Sequence, residues 1–394
     1  MTNSYEQEST QDLPIGDLCL MPLRGTKEFT SNMDENIKYW RKKKLDEKNG
    51  INYPPDYLKD TYITNPSIYR FGTGEAKGVI NDTVRGADIF IIVDVTNYSE
   101  KYKMFGEQTS MSPDDHYQDL KRIIAATNGK AKRVNVIMPF LYESRQHRRT
   151  QRESLDCAIM LQELVSMGVS NIITVDAHDP RISNAIPLAS FDSINCYYQF
   201  IHTMLSNFND IVVDSGHLMM IAPDDGAMSR NIYFANVLGI DLGMFYKRRD
   251  YTKVVDGKNP IISHEFLGNS VEGKDVIIAD DMISSGDSLL DTMNELKKRN
   301  AKRVFALCTF GLFTGGFEKF DDAYEKGLIN GVFTTNCIYQ KPELLKKPWY
   351  FSVDVSEYLA KIIDCINHDS SISNYLNPVE KIHNFINNYN KNKS

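Results

Sequence analysis

The sequence predicts an α/β protein made of two doubly wound domains with mainly parallel sheets. Short apolar runs of about four to eight residues alternate with longer amphipathic runs, the signature of buried parallel strands joined by helices. With 394 residues and 42% hydrophobic content, the chain can bury two cores. Polar and charged clusters follow directly after several apolar runs, where α/β sheets bind ligands.

Taken in order, strands are expected at Asp88–Val95, Val134–Phe140, Asn171–Val175, Leu218–Ala222, Leu242–Tyr246, Val276–Ala279, Val304–Cys308 and Val332–Thr335. Helices are expected at His116–Thr127, Glu153–Met167, Ala227–Leu238, Leu289–Arg299 and Val355–Ile366. The polar start MTNSYEQESTQDLP suggests a disordered segment over residues 1–14. A boundary near Pro187 to Phe191 divides the remainder into domains 15–188 and 189–394. Asn97–Asp115 and Lys247–Gly273 show little apolar periodicity and read as long loops. The tail from His368, rich in Asn, Ser and Lys, reads as a helix with a frayed end.

Composition narrows the function. A net charge of -7 argues against wrapping nucleic acid. No apolar run approaches the roughly 18 residues that span a bilayer. The amino terminus lacks the basic-then-apolar plan of a secretory signal. Six scattered cysteines form no C-x-x-C pair, which suits free thiols in a cytoplasmic protein.

The richest stretch is Val276–Ser288, VIIADDMISSGDS. An apolar run ends in Asp280 and Asp281, a Ser/Gly loop follows, and Leu289, Leu290, Met293 and Leu296 recur at helical spacing. Carboxylates at a strand's carboxyl end can grip vicinal ribose hydroxyls. The N–H groups opening the next helix can cradle a phosphate. The stretch reads as a sugar-phosphate site, against the plainer alternative of an acidic strand end with a Ser N-cap.

Four further segments sit at expected strand ends or on a long loop. TVDAHDP (Thr174–Pro180) carries His178, and APDDGAMSR (Ala222–Arg230) carries Asp224. One imidazole and one carboxylate can hold a partly hydrated Mg²⁺ that also binds phosphate oxygens. Equally, His178 can be a structural histidine and Asp224 a helix N-cap. FLYESRQHRRTQR (Phe140–Arg152) gathers Arg145, Arg148, Arg149 and Arg152, suited to a polyphosphate, with Gln146 able to face a base; a solvated basic helix start reads as well. Lys247, Arg248 and Arg249 open the second long loop and can neutralise charge on a reacting phosphoryl group, or form a plain exposed charge run. GTGEAKG (Gly72–Gly78) misses the dinucleotide fingerprint, and no Gly-Lys pair precedes Ser or Thr, so any ATP binds without a P-loop.

Together these segments resemble the ribose-phosphate pyrophosphokinases (phosphoribosyl pyrophosphate synthetases). RFGTGEAKGVINDTVRGADIFII (Arg70–Ile92), VIMPFLYESRQHRRTQRE (Val136–Glu153), ITVDAHDPRI (Ile173–Ile182), APDDGAMSR, YKRRD and DDMISSGDS occur in that family's order, from about Tyr69 to Lys361. The resemblance implies two phosphoribosyltransferase-like domains, the first on the nucleotide side and the second on the ribose 5-phosphate side. It implies transfer of the diphosphate of ATP to the C1 hydroxyl of ribose 5-phosphate, with Mg²⁺ as cofactor. His178 and Asp224 match the metal ligands, and Lys247 and Arg249 the catalytic loop cations. Asp280, Asp281 and the loop Ser284, Ser285, Gly286, Asp287 and Ser288 match the ribose 5-phosphate site. Phe71, Thr73, Gly74 and Glu75, with Arg145 and Gln146, match the nucleotide contacts. In the family Phe71 and Glu75 correspond to residues that reach ATP across a subunit interface, implying a homo-oligomer.

The chain departs from the family pattern at four places. Thr73, His147 and Ser284 each stand where Asp is usual, and Asp287 where Gly is usual beside the phosphate. Asp287 is expected to point outward in the first helical turn, where the helix dipole favours it. These departures favour a second reading, a catalytically weak regulatory subunit. A third, a phosphoribosyltransferase that consumes the activated sugar, leaves the His178–Asp224 pair and the arginine cluster without a role.

Overall fold

The computed structural model describes residues 13–47, 53–249 and 261–391; at 247–249 and 261–264 it describes the backbone alone. Residues 1–12 of the expected disordered start lie outside the described residues. The chain forms two compact units. The first comprises Met1–Asn195, Asn336–Tyr339 and Asp354–Asn377; the second comprises Cys196–Thr335, Gln340–Val353 and Pro378–Ser394.

The first unit runs β1 (Asp17–Pro22), α1 (Lys27–Glu47), β2 (Ser67–Arg70), β3 (Ala76–Val79), β4 (Ala87–Ile92), β5 (Lys101–Met104), β6 (Glu107–Ser110), α2 (Pro113–Ala126), β7 (Arg133–Ile137), α3 (Asp156–Ser166), β8 (Asn171–Val175) and β9 (Ser190–Ile194). Its sheet has the order β1-β4-β7-β8-β9, every pair parallel. Strand β4, ADIFII, is buried throughout, as a parallel strand covered on both faces should be. Its one charge, Asp88, is neutralised by Arg133 through two hydrogen bonds of 2.8 Å.

Helix α1 buries Phe29, Met33 and Ile37 at four-residue spacing, and then Arg41. That guanidinium is 1% exposed and reaches the later helix α8 (Ser356–Asn367). Its Nε donates to Asp364 at 2.7 Å and its Nη2 to Asn367 at 2.6 Å, while Tyr57 and Tyr62 flank it. A buried guanidinium is tolerated only with such partners.

The second unit contains α4 (Tyr197–Asn207), β10 (Leu218–Ala222), α5 (Met228–Leu238), β11 (Asp241–Arg249), β12 (Ile261–Leu267), β13 (Asp275–Ile283), α6 (Asp287–Lys298), β14 (Arg303–Gly311), α7 (Glu318–Glu325), β15 (Gly331–Thr335) and β16 (Tyr350–Val353). Its sheet has the order β12-β11-β10-β13-β14-β15-β16, parallel except at β11/β12. The strand order reverses between β10 and β13, creating a switch point of the kind that binds ligands. The two largely parallel sheets are the architecture expected from the sequence.

Three expectations change. Asn97–Asp115, expected as a loop, contains the hairpin β5–β6, turned by Phe105 (φ 49) and Gly106 (φ 87). Two consecutive positive φ values suit a two-residue primed turn. Both strands are largely solvated, so no apolar alternation marks them. In Lys247–Gly273, β11 continues to Arg249 and β12 returns antiparallel, leaving 250–260 outside the described residues. The tail is two helices, α9 (Ser373–Leu376) and α10 (Val379–Lys391), because Pro378 interrupts the run.

All six cysteines are free, and five are buried. Burial pushes the Cys19 thiol up to about 11 and Cys157 up to about 12, and lifts Cys308 well above its usual range. Among the described residues, no helix is long and apolar enough to cross a membrane.

Candidate functional site

In the second unit, β10 and β13 are neighbours, with Ile221 paired to Ile278. Asp224 therefore emerges beside the later half of β13, which carries Asp280 and Asp281 and, beyond the expected end at Ala279, runs on to Ile283. Asn231 fixes this stretch: its amide donates to the Ala279 carbonyl at 2.7 Å and accepts from the Ala279 N–H at 3.1 Å. Asp224 accepts the Ala227 N–H at 3.2 Å in the turn before α5, whose N-cap is Ala227 itself, so Asp224 is not the helix cap that was its plainer alternative.

Burial, then the charge of Asp281, push the Asp280 carboxyl up to about 7, with Asp224 adding repulsion. Arg230 opposes this from 3.9 Å. The Asp281 N–H donates to Asp280 Oδ1 at 2.9 Å. The arrangement concentrates acceptor charge on one strand, chemistry suited to sugar hydroxyls or a hydrated cation.

Beyond the acids, Gly286 caps α6 with φ 87. A Cβ there would lie 2.4 Å from the Phe320 ring, so glycine is required on both counts. The first turn of α6 then presents N–H groups that have no acceptor within the helix. Asp287, expected to point outward, is 56% exposed and divides its carboxylate: Oδ2 accepts from the loop hydroxyl Ser285 Oγ at 2.9 Å and Oδ1 from Lys319 Nζ at 2.5 Å. Lys319 holds its carboxyl below the usual range.

In the first unit, β7 and β8 are parallel neighbours, which brings the Phe140–Arg152 segment beside His178. That segment is irregular rather than helical. Gln146 Nε2 donates to the Ser154 carbonyl at 2.8 Å. Arg145, Gln146, Arg148, Thr150, Glu153 and Ser154 line an open hollow of about 500 Å³. His147, noted in the sequence only as a departure, contacts Asp179 at 3.4 Å and packs edge-on to His178 with centroids 5.3 Å apart. Arg181 chiefly, with a smaller contribution from His147, holds Asp179 at about 2. Asp176 (φ 45) turns the chain sharply between β8 and His178.

Phe71, Thr73, Gly74 and Glu75 form the exposed turn of the β2–β3 hairpin, which is a sheet of its own. Phe71 donates its N–H to the Glu75 carbonyl at 2.7 Å, and Thr73 Oγ1 donates to Glu75 Oε2 at 3.0 Å. Arg70 braces the turn, donating to the Gly74 carbonyl at 3.2 Å and to Asp119 at 2.9 Å beneath the Tyr102 ring. The β5–β6 hairpin adds a bond from Phe105 N–H to the Gly72 carbonyl at 2.8 Å. Lys247 and Arg249 fall on β11, and their side chains lie outside the described residues.

Residues 24–168 match the N-terminal domain of ribose phosphate pyrophosphokinase, and residues 196–344 match the phosphoribosyl transferase domain. The chain belongs to the ribose-phosphate pyrophosphokinase family. Ribose-phosphate pyrophosphokinase of Vibrio parahaemolyticus is 29% identical over 319 residues, 80% of this chain and 92% of the relative. That of Mycoplasma genitalium is 26% identical over 307 residues, 77% and 84% of the two chains. The fold is that of phosphoribosylpyrophosphate synthetase from Mycobacterium smegmatis, with TM-score 0.70 and 20% identity over 90% of this chain and all of that one. Sequence reasoning assigned no role to Arg230, Asn231, Lys319 or Phe320; Arg230 alone carried a signal, as the end of the APDDGAMSR run.

Proposed function

We propose that this chain is an ATP-dependent ribose-phosphate diphosphokinase, transferring the diphosphate of ATP to the C1 hydroxyl of ribose 5-phosphate for nucleotide biosynthesis. The observation that carries this is that Asp224 follows β10 at the switch point beside β13, which carries Asp280 and Asp281 shortly before the Gly286 loop. The acids would accept hydrogen bonds from the ribose hydroxyls, and Ser284, Ser285, Gly286, Asp287 and Ser288 would surround the 5-phosphate. Arg145 and Gln146, with the Phe71–Glu75 turn, would hold the nucleotide. The C1 oxygen attacks the β-phosphorus and loses its proton, the bond from that phosphorus to the α-phosphate oxygen breaks, and AMP leaves. Lys247 and Arg249 would neutralise the charge that develops on the transferring group.

Mg²⁺ fits the donors available. Among the described residues no group of three or more His, Cys, Asp or Glu gathers to hold a metal. His178 and Asp224, one in each unit, would each offer a single donor and leave the other positions to water and phosphate oxygens, which is how Mg²⁺ is ordinarily bound. When bound it would offset phosphate charge. We assign the nucleotide side to 15–188 and the ribose 5-phosphate side to 189–394, in a cytoplasmic homo-oligomer.

Incubation with ATP, Mg²⁺ and ribose 5-phosphate should release AMP in proportion to sugar. Absence of sugar-dependent AMP overturns this reading and favours a regulatory subunit. The replacement of usual acids by Thr73 and by His147, the latter engaged with Asp179, supports that second reading.

A further inference from the structure

Asp287 and Lys319 form an exposed pair, with 56% and 59% of their side chains accessible. Exposed pairs contribute little to stability. The effect of this one lies elsewhere, in where it leaves a negative charge. Asp287 is the first residue of α6, inside the loop assigned above to the sugar phosphate, and a free carboxylate there would repel a dianion.

The segment that carries Lys319 is built against that loop. Thr314 N–H donates to the Ser284 carbonyl at 2.9 Å, and Phe313 N–H to the Ile283 carbonyl at 3.1 Å. Phe313 adopts φ 44, a conformation costly for a bulky residue, and its ring packs on Phe317 and Phe320. Phe320, fully buried and stacked on Trp349, fills the place a side chain at position 286 would need. Trp349 in turn donates to Asp321 at 2.8 Å. Lys319 thus projects from a fixed platform, and its ammonium meets Asp287 at a set place.

We propose that Lys319 is a positioning residue of the sugar-phosphate site, holding one oxygen of Asp287 while Ser285 Oγ donates to the other, and cancelling the carboxylate's charge so that a phosphate dianion can dock. Asp287 and Lys319 then act as a compensated unit in place of a small uncharged residue. The inference rests on the ribose 5-phosphate assignment made above, and it is a statement about binding rather than turnover.

The test is titration calorimetry of the full chain with ribose 5-phosphate. Lys319→Ala should bind about fivefold more weakly at low salt, with the loss shrinking at high salt and the melting temperature unmoved. Lys319→Arg should retain affinity, and Lys319→Ala combined with Asp287→Asn should recover most of it. Unchanged affinity in Lys319→Ala, or a double variant as weak as the single one, overturns the proposal. So does a wild-type chain that binds no ribose 5-phosphate. A wild-type chain that shows this binding pattern yet forms no AMP upholds the role of Lys319 and defeats the proposed activity alone.

Discussion

Arg230 Nη1 stands 3.9 Å from Asp280 Oδ1, near enough to moderate the acidic pair and too far to abolish its proton affinity. The carboxyl still sits up at about 7, raised from 3.8 by burial and by Asp281. The folded protein therefore binds this proton more tightly than the unfolded chain does. The stability it contributes is complete below about pH 3.8 and is lost as pH rises through about 7. With 32% of the side chain exposed, solvent screening reduces the effect to about 1 kcal/mol. Asp280→Asn should raise the melting temperature at pH 8 by about 2–4 °C and change it little near pH 4. Wild-type affinity for ribose 5-phosphate should weaken from pH 8 to pH 6, as the acceptor is protonated. A flat wild-type profile would remove Asp280 from the sugar contacts.

Lys247→Ala should lower kcat by about a hundredfold or more while leaving ribose 5-phosphate affinity within about twofold. Steady-state kinetics beside direct binding measures both. Equal losses in the two would contradict a role confined to the transition state.

Arg70 is nearly enclosed and joins the Phe71–Glu75 turn to Asp119 on α2. Its removal would leave Asp119 with Arg122 as a remaining partner at 2.6 Å, so the cost should be about 2 kcal/mol, below that of breaking an isolated buried pair. Arg70→Ala should lower the melting temperature by about 4–8 °C and raise the KM for ATP more than that for ribose 5-phosphate. Lysine should rescue poorly, lacking the planar fork. A KM for ATP that stays put would detach this turn from nucleotide binding.

Gly286→Ala should destabilise the second unit by about 2 kcal/mol and weaken ribose 5-phosphate binding, through backbone strain and collision with Phe320. Adding Phe320→Leu should relieve the collision alone, so the two substitutions should be less than additive in denaturant unfolding. Simple additivity would mean that the ring yields freely.

Strands Asn171–Val175 and Leu218–Ala222 are legible to the residue, because each is a short, mainly apolar run of the kind that a buried parallel strand requires. Helix α1 is not, since its charged sequence hides the four-residue spacing and its most telling buried side chain is an arginine. The β5–β6 hairpin escapes for a related reason: neither face is buried enough to force alternation. The strand, loop and helix around Asp280 to Ser288 are local and readable. The residues that support them are not, because Asn231 lies 48 positions from Ala279 and Lys319 lies 32 from Asp287. Only the folded sheet brings such pairs together.

The buried thiols make the protein its own reporter. Cys157 sits in the first unit and Cys308 in the second, each fully enclosed. A thiol reagent in solution can reach either one only while its surroundings are open. Mass-resolved alkylation over time would therefore clock the opening of each half separately, without a label or an engineered probe, and ligand added to one half would slow the clock in that half first.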